Sequence, residues 1–260
     1  MTLPLSFYLD RGKKIKLIPN FFVSEPYLKL SKVLCISYSC WVWIEDDKWL
    51  LFPPLNISKK VNYQCPFLSQ LKPVWSDFES SIPYLFDKRF LDWEYIFNPT
   101  HFNDLIGGKW EVYRKNRRKW PRTHEKWSYS SISPQRSDCL LVSEWLEGKE
   151  DDIQDAELLA EYILGDQPGV HKKYLYDLDE LVAINAWDEN WHYINYRFCI
   201  IKKGQSYLDE FVRNLFYTDP EIQAKNKLIN DGGCLGSSGL ERFKDKLNPI
   251  KKRAVYSWIK

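Results

Sequence analysis

Apolar positions recur along this chain at two spacings, and the switching between them predicts its elements. Residues 32–55, KVLCISYSCWVWIEDDKWLLFPPL, hold two aromatic and β-branched runs on either side of Glu45-Asp46-Asp47 and end at Pro53-Pro54. That is the pattern of a hairpin closed by residues that cannot continue a strand. Residues 64–80 predict a short helix interrupted by Pro73, FLDWEYIF at 90–97 predicts a strand, and 101–120 predict a helix that Pro121 stops. In 152–166 the apolar residues Ile153, Leu158, Leu159, Tyr162, Ile163 and Leu164 fit one buried face of a helix that closes at Gly165. Residues 173–204 carry three strand-like runs, broken first at Asp177 to Glu180 and again at Asp188-Glu189-Asn190. An amphipathic helix follows at 206–217, with Leu208, Phe211, Val212, Leu215 and Phe216 on one side. NKLIN at 226–230, a glycine-rich stretch with a helix-like run at 231–246, and a final strand, RAVYSWIK, complete the chain.

The second half does not alternate single strands with single helices, as a doubly wound dinucleotide fold does, so the pattern predicts an α+β fold with a mixed sheet. At 260 residues, 44% hydrophobic and 28% charged, the chain is long enough for one large core or two ordinary domains. Its six cysteines stand far apart, with no C-x-x-C pair and no Cys/His grouping at zinc spacing, so they read as reduced and no metal is expected. The N-terminus lacks the features of a secretory signal and no run approaches a membrane-spanning length, which together predict a cytoplasmic protein without a transmembrane segment.

Charge changes the picture more than composition does. Thirty-seven cations against 35 anions leave only +2, so an electrostatic partner has to be held by a local patch. Residues 108–126 hold eight cations, among them Arg114, Arg117 and Arg118, against Glu111 and Glu125; residues 144–166 hold nine acids against Lys149. Five cations between 114 and 119 lie too close together for helical acids to relieve their repulsion. The basic block is therefore a solvated face, a nucleic-acid contact, a clamp for a phosphorylated donor, or a surface that meets the acidic block. Trp110, Tyr113 and Trp120 within it are candidates to stack on bases, or to fill a core.

LIGGKWEVYRKNRRKW, followed about a hundred residues later by INDGGCLGSSGLERFKDKLNP, resembles the family of uncharacterised proteins related to the C-terminal domain of phosphatidylglycerol lysyltransferase, built from tandem GNAT-like folds. Gly108, Lys109, Asn116 and Trp120 match its first motif, and Asn230, Leu235, Gly236, Gly239, Leu240, Lys244 and Pro249 match its second. The resemblance extends over about residues 35–260. Cys234 stands where the family has Asp, Asp231-Gly232 where it has Arg-Glu, and Glu111 where it has Tyr. The resemblance implies two GNAT-like halves with mixed, mostly antiparallel sheets, 1–104 and 105–260. It also implies an acyl- or aminoacyl-transferase that moves an activated acyl group to an amine or hydroxyl.

In that fold a sheet splays open around the donor's acyl group, and peptide N–H groups at the start of the following helix hold its phosphates. Gly232, Gly233, Gly236 and Gly239 lie between a strand-like and a helix-like run, where glycine lets the backbone approach phosphate closely. Asn230, Gly233, Gly236, Gly239 and Lys244, with Arg114, Arg117 and Arg118, are thus the candidate donor-binding residues, for acyl-coenzyme A or aminoacyl-tRNA. None of the four histidines forms a triad with Ser or Cys. A carboxylate or a tyrosine suffices as the weak base of acyl transfer, which leaves Glu161, Tyr95 and Asp92 as candidates. Two alternatives stand beside this reading: a nucleic-acid-binding protein, and a transferase that acts on a modified DNA or RNA base.

Overall fold

A computed structural model describes residues 2–3, 5–14, 19, 24–30, 33–36, 41–44, 49–51, 87–132, 137–147, 156–234 and 236–259. The helix expected at 64–80 lies outside the described residues. The chain divides into two compact units, one formed by 1–94, 190–192 and 252–260, the other by 95–189 and 193–251.

The first unit contains strand β1 (Thr2–Leu3), helices α1 (Leu5–Lys14) and α2 (Glu25–Leu30), and strands β2 (Val33–Ile36), β3 (Trp41–Ile44) and β4 (Trp49–Leu51). These strands form one antiparallel sheet in the order β1-β2-β3-β4. The hairpin expected around Glu45-Asp46-Asp47 is the β3–β4 pair, in which Trp43 faces Trp49. Arg253 in this unit is buried, and its guanidinium is bound by the carboxylate of Glu94 and the carbonyl of Pro19, 3.0 Å away.

A second sheet has seven strands, ordered β11-β5-β10-β9-β8-β7-β6. They are β5 (Asp87–Phe97), β6 (Trp127–Ser130), β7 (His171–Asp177), β8 (Glu180–Glu189), β9 (Tyr193–Ile201), β10 (Leu228–Asn230) and β11 (Lys251–Ile259). Its β6-β7-β8-β9 meander is antiparallel, β10 joins β9 in parallel, and β5 joins β10 antiparallel. The three strands expected within 173–204 are β7, β8 and β9. β8 is buried continuously from Leu181 to Asp188, because helices cover both faces of the sheet. The fold is therefore α+β with a mixed, mostly antiparallel sheet.

The remaining helices are α3 (His101–Asp104), α4 (Glu111–Asn116), α5 (Lys119–Thr123), α6 (Ser137–Leu146), α7 (Ala156–Leu164), α8 (Leu208–Tyr217), α9 (Pro220–Ala224) and α10 (Ser238–Lys246). The single helix expected over 101–120 is thus broken into α3, a 3-10 turn at Gly108–Trp110, α4 and α5. Leu105 takes a left-handed conformation (φ 49) after α3 and Gly107 has φ 98, so the helical ladder cannot run through them. Pro121 does not stop a helix; it sits in the first turn of α5, where its missing N–H costs nothing. Trp110, Tyr113 and Trp120 are buried and cannot stack on a ligand's bases. Trp120 instead packs on Phe211 of α8 with ring centroids 5.1 Å apart, which is how α5 is held to the sheet layer.

Candidate functional site

The sheet opens between β9 and β10. Their parallel pairing runs from Tyr193/Leu228 to Asn195/Asn230. Beyond it, Asp231 donates its N–H to the Tyr95 carbonyl (2.9 Å) and the Gly232 carbonyl accepts from the Tyr95 N–H (3.2 Å). The chain leaving β10 thus stays with β5, while β9 continues to Ile201 against β8 alone. At the same point β9 carries a bulge: Ala186 faces Phe198 and Trp187 faces Tyr196, leaving Arg197 as one residue in excess. A bulge leaves its extra peptide group out of the ladder and re-aims the local side chains.

Two buried polar networks flank this opening. On the side of α7, Asp188 accepts four hydrogen bonds: Tyr162 Oη at 2.6 Å, Asn195 Nδ2 at 2.8 Å, and Arg197 Nε and Nη2 at 2.7 and 3.1 Å. Asp188 and Asn195 are fully buried and the Arg197 side chain is 2% exposed. The pair is two-pronged, with each carboxylate oxygen serving two donors, so the bulge residue is clamped to its neighbouring strand.

On the side of α8, the carboxylate of Asp231 binds Arg213 Nη1, Tyr217 Oη (2.7 Å) and Lys244 Nζ (3.2 Å). Arg213 Nε continues to Asp209 Oδ1 at 2.9 Å, and that oxygen also accepts from Cys199 Sγ at 3.4 Å. Burial works against the Arg213 charge, but Asp231 and Asp209 outweigh it, and its pKa lies well above the ordinary value. The Cys199 thiol is pushed up by burial, with Asp209 adding to the effect. It is therefore a protonated donor to Asp209 and not a thiolate.

The glycine-rich stretch is organised by Lys244, whose buried ammonium binds the carbonyls of Asp231, Gly232 (3.4 Å) and Gly233 (2.7 Å). Asn230 Oδ1 accepts the Gly232 N–H at 3.0 Å and so fixes the same turn. Gly236, with φ +77, and Gly239, in the first turn of α10, are both exposed. Ser237 caps that helix by accepting the Leu240 N–H at 3.3 Å. These residues share one turn and one helix start, directly after the opening.

The remaining candidates lie in different surroundings. Tyr95 is fully buried, its ring 5.6 Å from Lys244 Nζ, and burial, with Cys234 next to its hydroxyl, raises the phenol well above its usual range. Glu161 is exposed on α7, next in sequence to Tyr162. Asp92, half-buried in the first unit, accepts the N–H of Trp93 at 2.7 Å. Arg114 Nη1 binds the carbonyls of Leu105 and Gly107, the latter at 3.0 Å, and Arg117 Nη1 binds Asn214 Oδ1 at 2.6 Å. Arg118 is exposed.

Sequence reading passed over Asp188, Asn195, Arg197, Arg213 and Asp209. Asp188 read as the start of a polar break, although it is the last fully buried residue of β8. One signal was present: Arg197 is the one charged residue in YINYRFCII, and a cation in a central strand needs a buried anion.

Among the described residues no group of three or more His, Cys, Asp or Glu is placed to hold a metal ion, and no helix is long and apolar enough to cross a membrane. No family model matches the sequence, and no curated protein matches it. Several solved structures share the fold. A conserved protein of unknown function from Bacteroides thetaiotaomicron aligns over 98% of this chain and 97% of its own, with a TM-score of 0.69 and 16% identity. The C-terminal domain of a putative lysylphosphatidylglycerol synthetase from Agrobacterium fabrum aligns over 98% and 92%, with a TM-score of 0.64 and 10% identity. A tandem GNAT protein from the clavulanic acid biosynthesis pathway aligns over 99% and 96%, with a TM-score of 0.51 and 8% identity. The chain has the tandem GNAT fold that is also found in the C-terminal domain of lysylphosphatidylglycerol synthetase.

Proposed function

We propose that this protein is an acyl- or aminoacyl-transferase whose reaction takes place where β9 and β10 separate. The observation that carries the reading is the opening of a parallel strand pair beside a bulge, immediately before a glycine-rich turn and a helix start. The fold shared with a lysylphosphatidylglycerol synthetase domain and a tandem GNAT protein supports the same class of chemistry, although fold by itself does not select a substrate.

In this reading the carbonyl of an activated acyl group enters the opening, and peptide N–H groups of β9 beside the bulge stabilise the oxyanion that forms on attack. The acceptor's amine or hydroxyl adds to that carbonyl and a carboxylate removes its proton; Glu161 and Asp209 are the candidates. As the bond to the donor breaks, its departing sulfur or oxygen takes a proton from Tyr95. The turn held by Asn230 and Lys244, with Gly233, Gly236 and Gly239, would lie along the donor's anionic part. The donor is then acyl-coenzyme A or aminoacyl-tRNA, with Tyr95 and the C-terminal half, 105–260, carrying the site.

Ligand-induced stabilisation tests this directly, since a donor at 100 times its Kd adds about 2.7 kcal/mol. Melting is to be followed with acyl-coenzyme A species and with aminoacyl-tRNA, each beside its deacylated form. Stabilisation by a donor, with transfer of its acyl group to added amines or hydroxyl compounds, is the expected result. Stabilisation by neither donor class overturns the proposal.

A further inference from the structure

The face formed by α4, α5 and the start of α8 has a use that the transfer reaction does not account for. Residues 108–126 carry eight cations, and among the described residues none of them forms an ion pair. Lys115, Arg118, Arg122 and Lys126 are exposed; Glu111 and Glu125 are the acids of the same stretch, and at the start of α8 Asp209 is taken up by Arg213 and Glu210 accepts from Asn116 at 3.2 Å. Burial is the main reason that the Arg117 pKa lies below the ordinary value; Tyr113 opposes it, and repulsion from Arg118 and Arg114 adds to it. A face with so many unrelieved like charges is stable against solvent, but it gains whenever a polyanion replaces its counterions.

Two exposed aromatic rings border the same cations. Tyr207, at φ 65 before the first turn of α8, lies under Lys119 Nζ at 3.8 Å from its ring centroid. Trp127 packs edge-on against Phe211, 5.1 Å between centroids, and Phe211 stacks on Trp120 of α5. Tyr207 and Trp127 are 38% and 37% exposed, so each leaves part of a ring open to solvent.

We infer that this face binds a single-stranded nucleic acid, with phosphates on Lys115, Arg118, Lys119 and Arg122 and an unpaired base stacked on Tyr207 or Trp127. The rings select the strand type, because a duplex hides the faces of its bases. They also argue against an anionic membrane: Trp127 is packed edge-on against Phe211 and Tyr207 lies under an ammonium, so the two make no contiguous apolar wedge. The inference stands independently of the transferase reading, since a strand held here need not carry the acyl group.

The test is fluorescence anisotropy with a labelled single-stranded oligonucleotide of mixed sequence, as RNA and as DNA, together with a hairpin duplex and phosphatidylglycerol vesicles. Neutralising four phosphates gives a log–log salt slope of roughly −3, or about a 50-fold loss of affinity between 50 and 200 mM salt. Arg118→Glu with Arg122→Glu is expected to abolish binding at 200 mM salt while the melting temperature stays unchanged. Tyr207→Asn, which tolerates the left-handed backbone, is expected to weaken binding about tenfold without altering the slope. No single-strand binding at 50 mM salt, binding unaffected by the double reversal, or preference for the duplex or the vesicles overturns the inference.

Discussion

Replacing the carboxylate of Asp188 by an amide, Asp188→Asn, removes the anion paired with Arg197, a cation whose side chain is 2% exposed. Arg197 then keeps its charge in a buried strand with a neutral partner, and breaking a buried pair in this way costs about 3–5 kcal/mol. Arg197→Met leaves the carboxylate with Tyr162 and Asn195 as donors, and a similar loss of about 3 kcal/mol is expected. The double variant removes both charges and retains a carbonyl oxygen for the two remaining donors. It is expected to cost about 1–3 kcal/mol, well below the sum of the single changes, because an absent buried pair is far cheaper than a broken one. At about 2–4 °C per kcal/mol for a chain of this size, Asp188→Asn should melt roughly 10 °C below the parent. Urea unfolding followed by tryptophan fluorescence and by circular dichroism measures all four corners of the cycle. Additivity within about 0.5 kcal/mol, or a single change costing less than about 1 kcal/mol, refutes the claim that this pair is a coupled, water-excluded clamp on the bulge.

Three further outcomes are expected. Gly165→Ala places a Cβ 2.5 Å from the Glu161 carbonyl oxygen, so the end of α7 has to shift, at about 1–3 kcal/mol read by thermal melting. Burial pushes the Glu189 carboxyl up, but hydrogen bonds from Lys225 (2.5 Å) and Lys227 (2.9 Å) outweigh it and leave the pKa lowered. A lowered carboxyl pKa contributes stability above its unfolded value, near 4.5, that disappears as pH falls through the folded value. Glu189→Gln should therefore be less stable at pH 6 and should flatten the stability profile below pH 4.5. Tyr95→Phe should lower the transfer rate constant about 10²- to 10⁴-fold with little change in KM, measured under single-turnover conditions.

Much of the fold was legible because burial imposes periodicity: β7 to β9, α7 and α8 each follow from apolar spacing alone. The region from His101 to Thr123 was not, since its breaks depend on left-handed Leu105 and Gly107, and only the second of those residue types advertises that conformation. Helix α6, with apolar residues spread around its circumference, and three-residue β10 were respectively missed and read only as a short run. Within the site, Asn230, Lys244 and the glycines were legible through the resemblance, and they do share one turn. What holds that turn was not: Asp231 replaces a differently charged pair in the family pattern, and its partners Arg213 and Tyr217 lie 18 and 14 residues away. Interactions closed by a helix crossing the sheet leave no spacing signal in the sequence.

Hydrogen exchange of the protein with a hydrolysis-resistant donor, an acyl-coenzyme A thioether or an amide-linked aminoacyl-tRNA, tests the central claim most directly. Slowed exchange at amides 196–201 of β9 and 231–234 beyond β10, in the presence of one donor and not of its deacylated form, is the predicted result. Protection confined to other parts of the chain, with these two stretches unchanged, contradicts it.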